Sequence, residues 1–251
     1  MSRFFVEPDR VTSDGRIIIS GTDVNHMKNV LRMKKGDALT VCDSTGTEYG
    51  CELDSFEKDA AVCLILSSKP GMTEPRTPVT LLQGVPKGDK MELIIQKNIE
   101  LGVNRIIPVM MERTVVRFSD GKDAAKKAER WRRIAGEASK QCGRLKVPEI
   151  TDPMTLKQAL ALINGEPRGL RIVPYENEAD RRLKSALKGA FGVDPIPNIS
   201  FLIGPEGGIS EAEMELLEKE DFTPVSLGRR ILRTETAGFA VMAAIRYELE
   251  D

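Results

Sequence analysis

The sequence predicts an α/β domain on a mostly parallel sheet, preceded by a small closed β-barrel. Three observations predict this. Residues 1–70 carry five short runs of β-branched or alternating residues, separated by glycine turns. Residues 71–78 hold Gly71, Pro75 and Pro78 without apolar periodicity, as a linker does. From Val79 to the end, residues 79–251, strand-like and helix-like segments alternate, the pattern of a parallel sheet.

In the first region the strands are Phe4 to Val6, Arg16 to Ser20, Leu39 to Asp43, Glu48 to Leu53 and Ala61 to Leu66. Asp14-Gly15, Gly36-Asp37 and Thr45-Gly46 supply the turns. One helix falls near Asp23 to Val30. It and its exit carry Lys28, Arg32, Lys34 and Lys35 with no acid from His26 to Lys35. That strip is either a solvated face or a contact with RNA backbone, through Lys28 and Arg32.

In the second region Val79 to Gln83 is a strand. In the helix that follows, Met91, Ile94, Ile95 and Ile99 share one face, with Asp89 in the first turn and Gly102 beyond the end. Lys87, Lys90 and Gln96 of this segment could face a ligand. Arg105 to Met110 is the next strand, and Arg113 lies just past its C-terminal end, where such sheets place functional loops. Lys122 to Cys142 reads as a long helix with Trp131, Ile134, Ala135, Ala138 and Cys142 inward. Lys126, Arg130, Arg133 and Lys140 lie on the opposite side. Few acids stand against these cations, which favours an RNA-facing surface over an idle solvated one. Then come a helix Leu156 to Ile163, a strand Leu170 to Val173, a charged helix Ala179 to Lys188 and a loop holding Gly192, Pro195 and Pro197. The final helix, Thr236 to Leu249, is rich in small residues.

The rest of the chain is organised around residues 201–236. Phe201 to Ile203 reads as a buried strand and Gly204-Pro205-Glu206-Gly207-Gly208 as an irregular turn. Ser210 with Glu213 is a capping box that opens a helix. Pro224 to Leu227 is a second strand, broken by Gly228, and Arg229, Arg230 and Arg233 follow, with Ile231 and Leu232 expected to bury between them. Two glycine turns after neighbouring strands are where an open α/β sheet places its ligand. Neither a dinucleotide fingerprint nor a phosphate loop is present.

GPEGGIS followed by LGRRILRTETA resembles the C-terminal signature of SPOUT-class RNA methyltransferases, nearest the ribosomal RNA small subunit methyltransferase E family. The Lys87-Gly88-Asp89-Lys90 and Glu100-Leu101-Gly102-Val103 frame and the Glu137, Ala138, Gln141, Arg144 segment are also similar. The resemblance implies a deep trefoil knot behind a PUA-like barrel, and methylation of a uridine at N3 in 16S ribosomal RNA. It implies S-adenosyl-L-methionine as cofactor and a homodimer acting in the cytoplasm on ribosomal RNA or the small ribosomal subunit. It places the cofactor near Val173, Gly204, Pro205, Glu206, Gly207, Leu227, Gly228, Ile231 and Leu232. Gln141, Arg144 and Arg229 fall near the RNA, with Arg113 and Arg133. Methylating another RNA position, such as a ribose 2′-hydroxyl, or binding RNA without catalysis are the alternatives.

The formal net charge is -1, so any RNA surface is a local patch. His26 is the sole histidine, which excludes multi-histidine metal sites and leaves a Ser-His triad without support; no metal is expected. Four cysteines without CxxC spacing read as reduced and structural. No apolar run reaches the ~20 residues that span a membrane. Transfer to a uracil nitrogen needs its proton removed, for which Glu206, Glu235 or water are the candidate bases. Arg233 is the candidate to stabilise the resulting anion.

Overall fold

The computed structural model describes residues 2–191 and 198–249; the loop at Gly192, Pro195 and Pro197 lies outside the described residues. The chain divides into two compact units, Met1–Glu74 with Ser139–Val147, and Pro75–Ala138 with Pro148–Asp251.

The first unit is a mixed sheet of β1 (Ser2–Val6), β2 (Arg16–Ser20), β3 (Ala38–Asp43), β4 (Thr47–Phe56) and β5 (Ala60–Pro70), in the order β1-β3-β4-β5-β2. Phe4, Ile17, Ile19, Leu39, Val41, Leu53 and Met27 fill its core. Asp43 shapes the β3–β4 turn by accepting from the amides of Thr45, Gly46 and Thr47. The barrel predicted as closed is open. Ile17 bridges Val11 on the side of β2 away from β5, so that edge is taken by a local partner before β1 can pair with it. The helix expected from Asp23 to Val30 is one α-turn, α1 (Thr22–Asn25), continued by a π-turn over His26–Val30.

The second unit is a parallel sheet of β6 (Val79–Gly84), β7 (Arg105–Met110), β8 (Glu149–Ile150), β9 (Met154–Thr155), β10 (Leu170–Pro174), β11 (Ile199–Ile203) and β12 (Thr223–Val225). Its order is β12-β10-β11-β6-β7-β8, with β9 also on β7. Every residue of β6 and β11 is buried, as expected of strands covered on both faces. The helices are α2 (Lys90–Glu100), α3 (Gly121–Cys142), α4 (Leu156–Asn164), α5 (Leu183–Phe191), α6 (Glu211–Lys219) and α7 (Thr234–Leu249). Gly102, at φ +90°, ends the run after α2 as a glycine cap does.

Of the boundaries that differ from the prediction, three have a local cause. Helix α5 begins at Leu183, not Ala179. The amides of Asp180 and Arg181 donate to Glu178 Oε1 and Arg182 bridges Ser226, so those residues serve a turn and a sheet edge first. Strand β12 stops at Val225, because Ser226 turns toward Arg181 and Arg182. Asp89 is the N-cap of α2 rather than a first-turn residue, and its side chain makes no capping bond.

Strand order reverses between β6 and β11: the chain runs outward from β6 through β7, then returns on the other side with β10, β11 and β12. The C-terminal ends of β6 and β11 therefore flank a switch point, where open α/β sheets bind ligands.

Candidate active site

Two glycine-bearing segments leave the sheet at this switch point. The first, residues 204–210, is built tightly. A side chain on Gly84 would stand 2.6 Å from Pro205 N, and one on Gly204 would stand 2.9 Å from Ile209. A Cβ on Gly207 would meet Arg113 Cβ at 2.8 Å, while Arg113 Nη1 donates to Gly207 O at 3.1 Å. Gly208 holds φ +74°. Ser210 and Glu213 form the predicted capping box, and Glu213 also accepts from the Glu112 amide at 2.8 Å.

The second segment, Ser226 to Arg233, is open. Gly228 takes φ +115° with no atom within 4 Å of where a Cβ would sit. The Gly228 amide donates to Ser226 Oγ, and among the described residues those at 229–232 make no hydrogen bond to the rest of the chain. Arg229, Arg230 and Arg233 are exposed. Ile231, expected to bury, is 85% exposed, while Leu227 and Leu232 are half-buried. No hydrogen-bonded element holds this stretch inward, so alternation of apolar and charged residues does not impose a buried face here.

A buried relay joins the two segments. Gln83 Nε2 donates to Gly84 O and to Thr234 Oγ1, both at 3.0 Å, and Thr234 Oγ1 donates to Gly204 O at 2.7 Å. The start of α7 is thus tied to the ends of β6 and β11. Thr234 and Gln83 carry this link, and sequence reading missed both; a polar Gln inside an otherwise apolar strand was the available signal.

The acids sit beside Lys90. Its Nζ lies 2.8 Å from Glu206 Oε1 and 3.6 Å from Glu235 Oε2. Partial burial pushes the Glu206 carboxyl up, but the Lys90 hydrogen bond and backbone amides outweigh it and hold the group below its usual range. Glu235 Oε2 is buried and accepts no hydrogen bond among the described residues.

Other predicted contacts divide. Val173 is fully buried in the core with Leu202, Leu217 and Phe222, so its side chain faces packing rather than a ligand. Arg144 is 4% exposed and pairs with Glu74 through Nε at 3.2 Å and Nη2 at 2.5 Å, so its charge is already spent inside the first unit. On α3, Arg130 pairs with Glu92 and Arg132 with Asp152, whereas Arg133 and Gln141 stay exposed. Lys28 donates to Glu57 O and sits over the Phe56 ring; Arg32 is exposed with φ +53°.

Comparison with known proteins decides the family. The family model described as an RNA methyltransferase domain matches residues 73–246, and that of an RNA methyltransferase PUA domain matches residues 19–66. The Bacillus subtilis ribosomal RNA small subunit methyltransferase E is 39% identical over 255 aligned residues, covering 100% of this chain and 98% of that protein. The chain belongs to the ribosomal RNA small subunit methyltransferase E family. A Synechocystis member of that family is 33% identical over 99% of the chain and 78% of its own length. The Neisseria gonorrhoeae family member, solved bound to S-adenosyl methionine, superposes with a TM-score of 0.82 at 32% identity, covering 98% of this chain and 97% of that one. A Legionella pneumophila methyltransferase with bound cofactor SAM gives a TM-score of 0.83 at 30% identity, covering 98% and 96%. The expected fold class holds: an α/β domain of SPOUT type behind a PUA-like β domain.

The residues here fit such a cofactor. The open backbone at 229–232 leaves amide and carbonyl groups free for a purine edge. The empty space over Gly228 leaves room for a flat ring next to this backbone.

Proposed function

We propose that this chain methylates N3 of a uridine in small-subunit ribosomal RNA, using S-adenosylmethionine. The observation that carries the reading is one guanidinium-bearing segment, Ser226 to Arg233, tied through Thr234 to the glycine turn at the sheet's switch point. The cofactor supplies an electrophilic methyl group when bound. Gly204 to Gly208 and Leu227 to Leu232 hold it by backbone groups and apolar contact. Arg233, always charged and carrying paired donors, stabilises the uracil anion at its carbonyl oxygens. Glu206 and Glu235 are the candidate proton acceptors. Lys90 holds Glu206 ionised by a hydrogen bond, which weakens it as a base, whereas Glu235 Oε2 has Lys90 Nζ at 3.6 Å but no hydrogen bond among the described residues, so we favour Glu235 as the acceptor.

Arg229, Arg113, Arg133, Gln141, Lys28 and Arg32 are the RNA contacts of this reading, all on exposed or partly exposed positions. The Thr234 Oγ1 bond to Gly204 O ties the 226–234 segment to the 204–208 turn, where we place the crossing of the trefoil knot. A second copy of the chain completes the site, which accounts for an isoleucine 85% exposed beside three arginines that have no ion pair among the described residues. Among the described residues no cluster of His, Cys, Asp and Glu could hold a metal ion, and no helix is long and apolar enough to cross a membrane. A cytoplasmic enzyme is the organisation that suits this activity, with the β unit Met1–Glu74, which also takes Ser139–Val147, serving RNA and the remainder carrying catalysis.

The test is nucleoside analysis of small-subunit RNA incubated with the protein and S-adenosylmethionine. N3-methyluridine is the expected product. A ribose 2′-O-methyl product, or none at all, would overturn the assignment.

A further inference from the structure

Alternation along two strands of the first unit sends Phe4, Ile17 and Ile19 into the core, so Phe5 and Ile18 lie on the other face of the sheet. Strands β1 and β2 are also the two edges of that sheet. Phe5 and Ile18 line a cavity of about 440 Å³, together with Leu145 and Val147. Its charged lining residues are Arg10, Lys146 and Glu7. Arg10 lies 3.9 Å from the exposed Asp9, and Lys146 is exposed with no ion pair of its own among the described residues.

The wall at 145–147 is firmly held. Glu74 Oε1 accepts from the amides of Leu145 at 2.9 Å and Lys146 at 3.3 Å, and the Glu74–Arg144 pair backs it. Arg3 Nη1 reaches Arg144 O at 3.4 Å from β1. Arg144 is therefore the strut that presents Lys146, rather than a contact itself.

We propose that this cavity binds one unpaired nucleotide of the RNA substrate. An aromatic ring with aliphatic neighbours is a stacking surface for a base, and stacking of this kind suits unstacked RNA bases. Two cations at the lining against one carboxylate match a single phosphate and disfavour a purely apolar or cationic occupant. The volume lies within the range of small-molecule sites. Glu7 is left to accept from a ribose hydroxyl or an exocyclic amine of the base. The proposal rests on the reading of the chain as an RNA-acting enzyme but not on which atom it methylates.

The test reads binding, not turnover. A transcript of small-subunit ribosomal RNA carrying 4-thiouridine is crosslinked to the full chain and the adducts are mapped by mass spectrometry. Adducts on peptides containing Phe5 or Lys146 are expected. Lys146→Glu should weaken binding of that transcript about tenfold and lower the slope of log affinity against log salt by about one. Phe5→Ala should weaken it about tenfold with the salt slope unchanged. Lys146 is exposed, so its variant remains decisive even if Phe5→Ala loosens the sheet. Native affinity and slope in Lys146→Glu, or crosslinks confined to residues 75–138 and 148–249, would overturn the proposal. Uridine monophosphate alone serves as the second probe: binding of the monomer as tight as that of the transcript would show a free-nucleotide site instead. Loss of the N3-methyluridine product with these binding results intact would break the functional reading and leave the cavity standing.

Discussion

The turn at 204–210 and the segment at 226–233 leave neighbouring edges of one sheet, yet they differ in how the chain holds them. In the first, three glycines at 84, 204 and 207 are in contacts where a Cβ would find an atom within 3 Å, and a capping box closes the turn. In the second, one glycine has empty space over it and four consecutive residues have no hydrogen bond to the rest of the chain. The first is finished by folding. The second has its backbone groups at 229–232 and its arginine side chains without protein partners among the described residues. Preorganisation on one side and open donors on the other is a sensible division for a site that must grip one molecule and admit another.

The contrast can be broken by substitution. Arg233→Ala removes an exposed charge with no ion pair among the described residues, so folding should be unchanged while kcat falls about 10²–10³-fold, roughly 3–4 kcal/mol, measured by single-turnover methyl transfer. Cofactor affinity by calorimetry should stay within a few-fold; unchanged turnover would remove Arg233 from the chemistry. Gly84→Ala forces a methyl to within 2.6 Å of Pro205 backbone and should cost about 2–3 kcal/mol in chemical denaturation, with weaker cofactor binding. Thr234→Val keeps shape but strips a donor from Gly204 O and an acceptor from Gln83, for about 2 kcal/mol of stability.

Two smaller effects sharpen the comparison. Lys90 holds the Glu206 carboxyl below its usual range, so Lys90→Met should let that pKa rise. If Glu206 accepts the proton, activity needs it ionised, and the acid limb of the kcat/KM profile should move to higher pH. An unmoved limb would remove Glu206 as the acceptor. Ile231→Ser, in the open segment, should change thermal unfolding of the isolated chain by no more than about 0.5 kcal/mol. In the assembled protein the same substitution should weaken self-association, read by sedimentation, because the proposed second copy covers Ile231; unchanged association would remove Ile231 from that interface.

Much of this is legible in the sequence. The strands Arg16–Ser20 and Arg105–Met110 fall where apolar alternation and buried runs put them, and Ser210 with Glu213 closes a capping box as its spacing demands. These features depend on neighbours a few residues apart. What misled was long-range. Arg144 reads as a free cation in a basic stretch, but Glu74, seventy residues earlier, neutralises it. Val173 reads as a strand end near a ligand, but β11 and β12 on either side enclose it. Ile231 reads as buried because it is apolar, although nothing packs over it.

By itself the sequence determined where strands, turns and caps form, because hydrophobic period, glycine and capping chemistry act over one or two turns of chain. It also placed the glycine and arginine segments next to one another. Only the tertiary structure decided which cations remain free, which acid Lys90 grips, and that Gln83 and Thr234 tie the two segments together. Those outcomes are contacts between residues 20 to 151 positions apart, and a pairing at that distance is settled by sheet order, which no local pattern encodes.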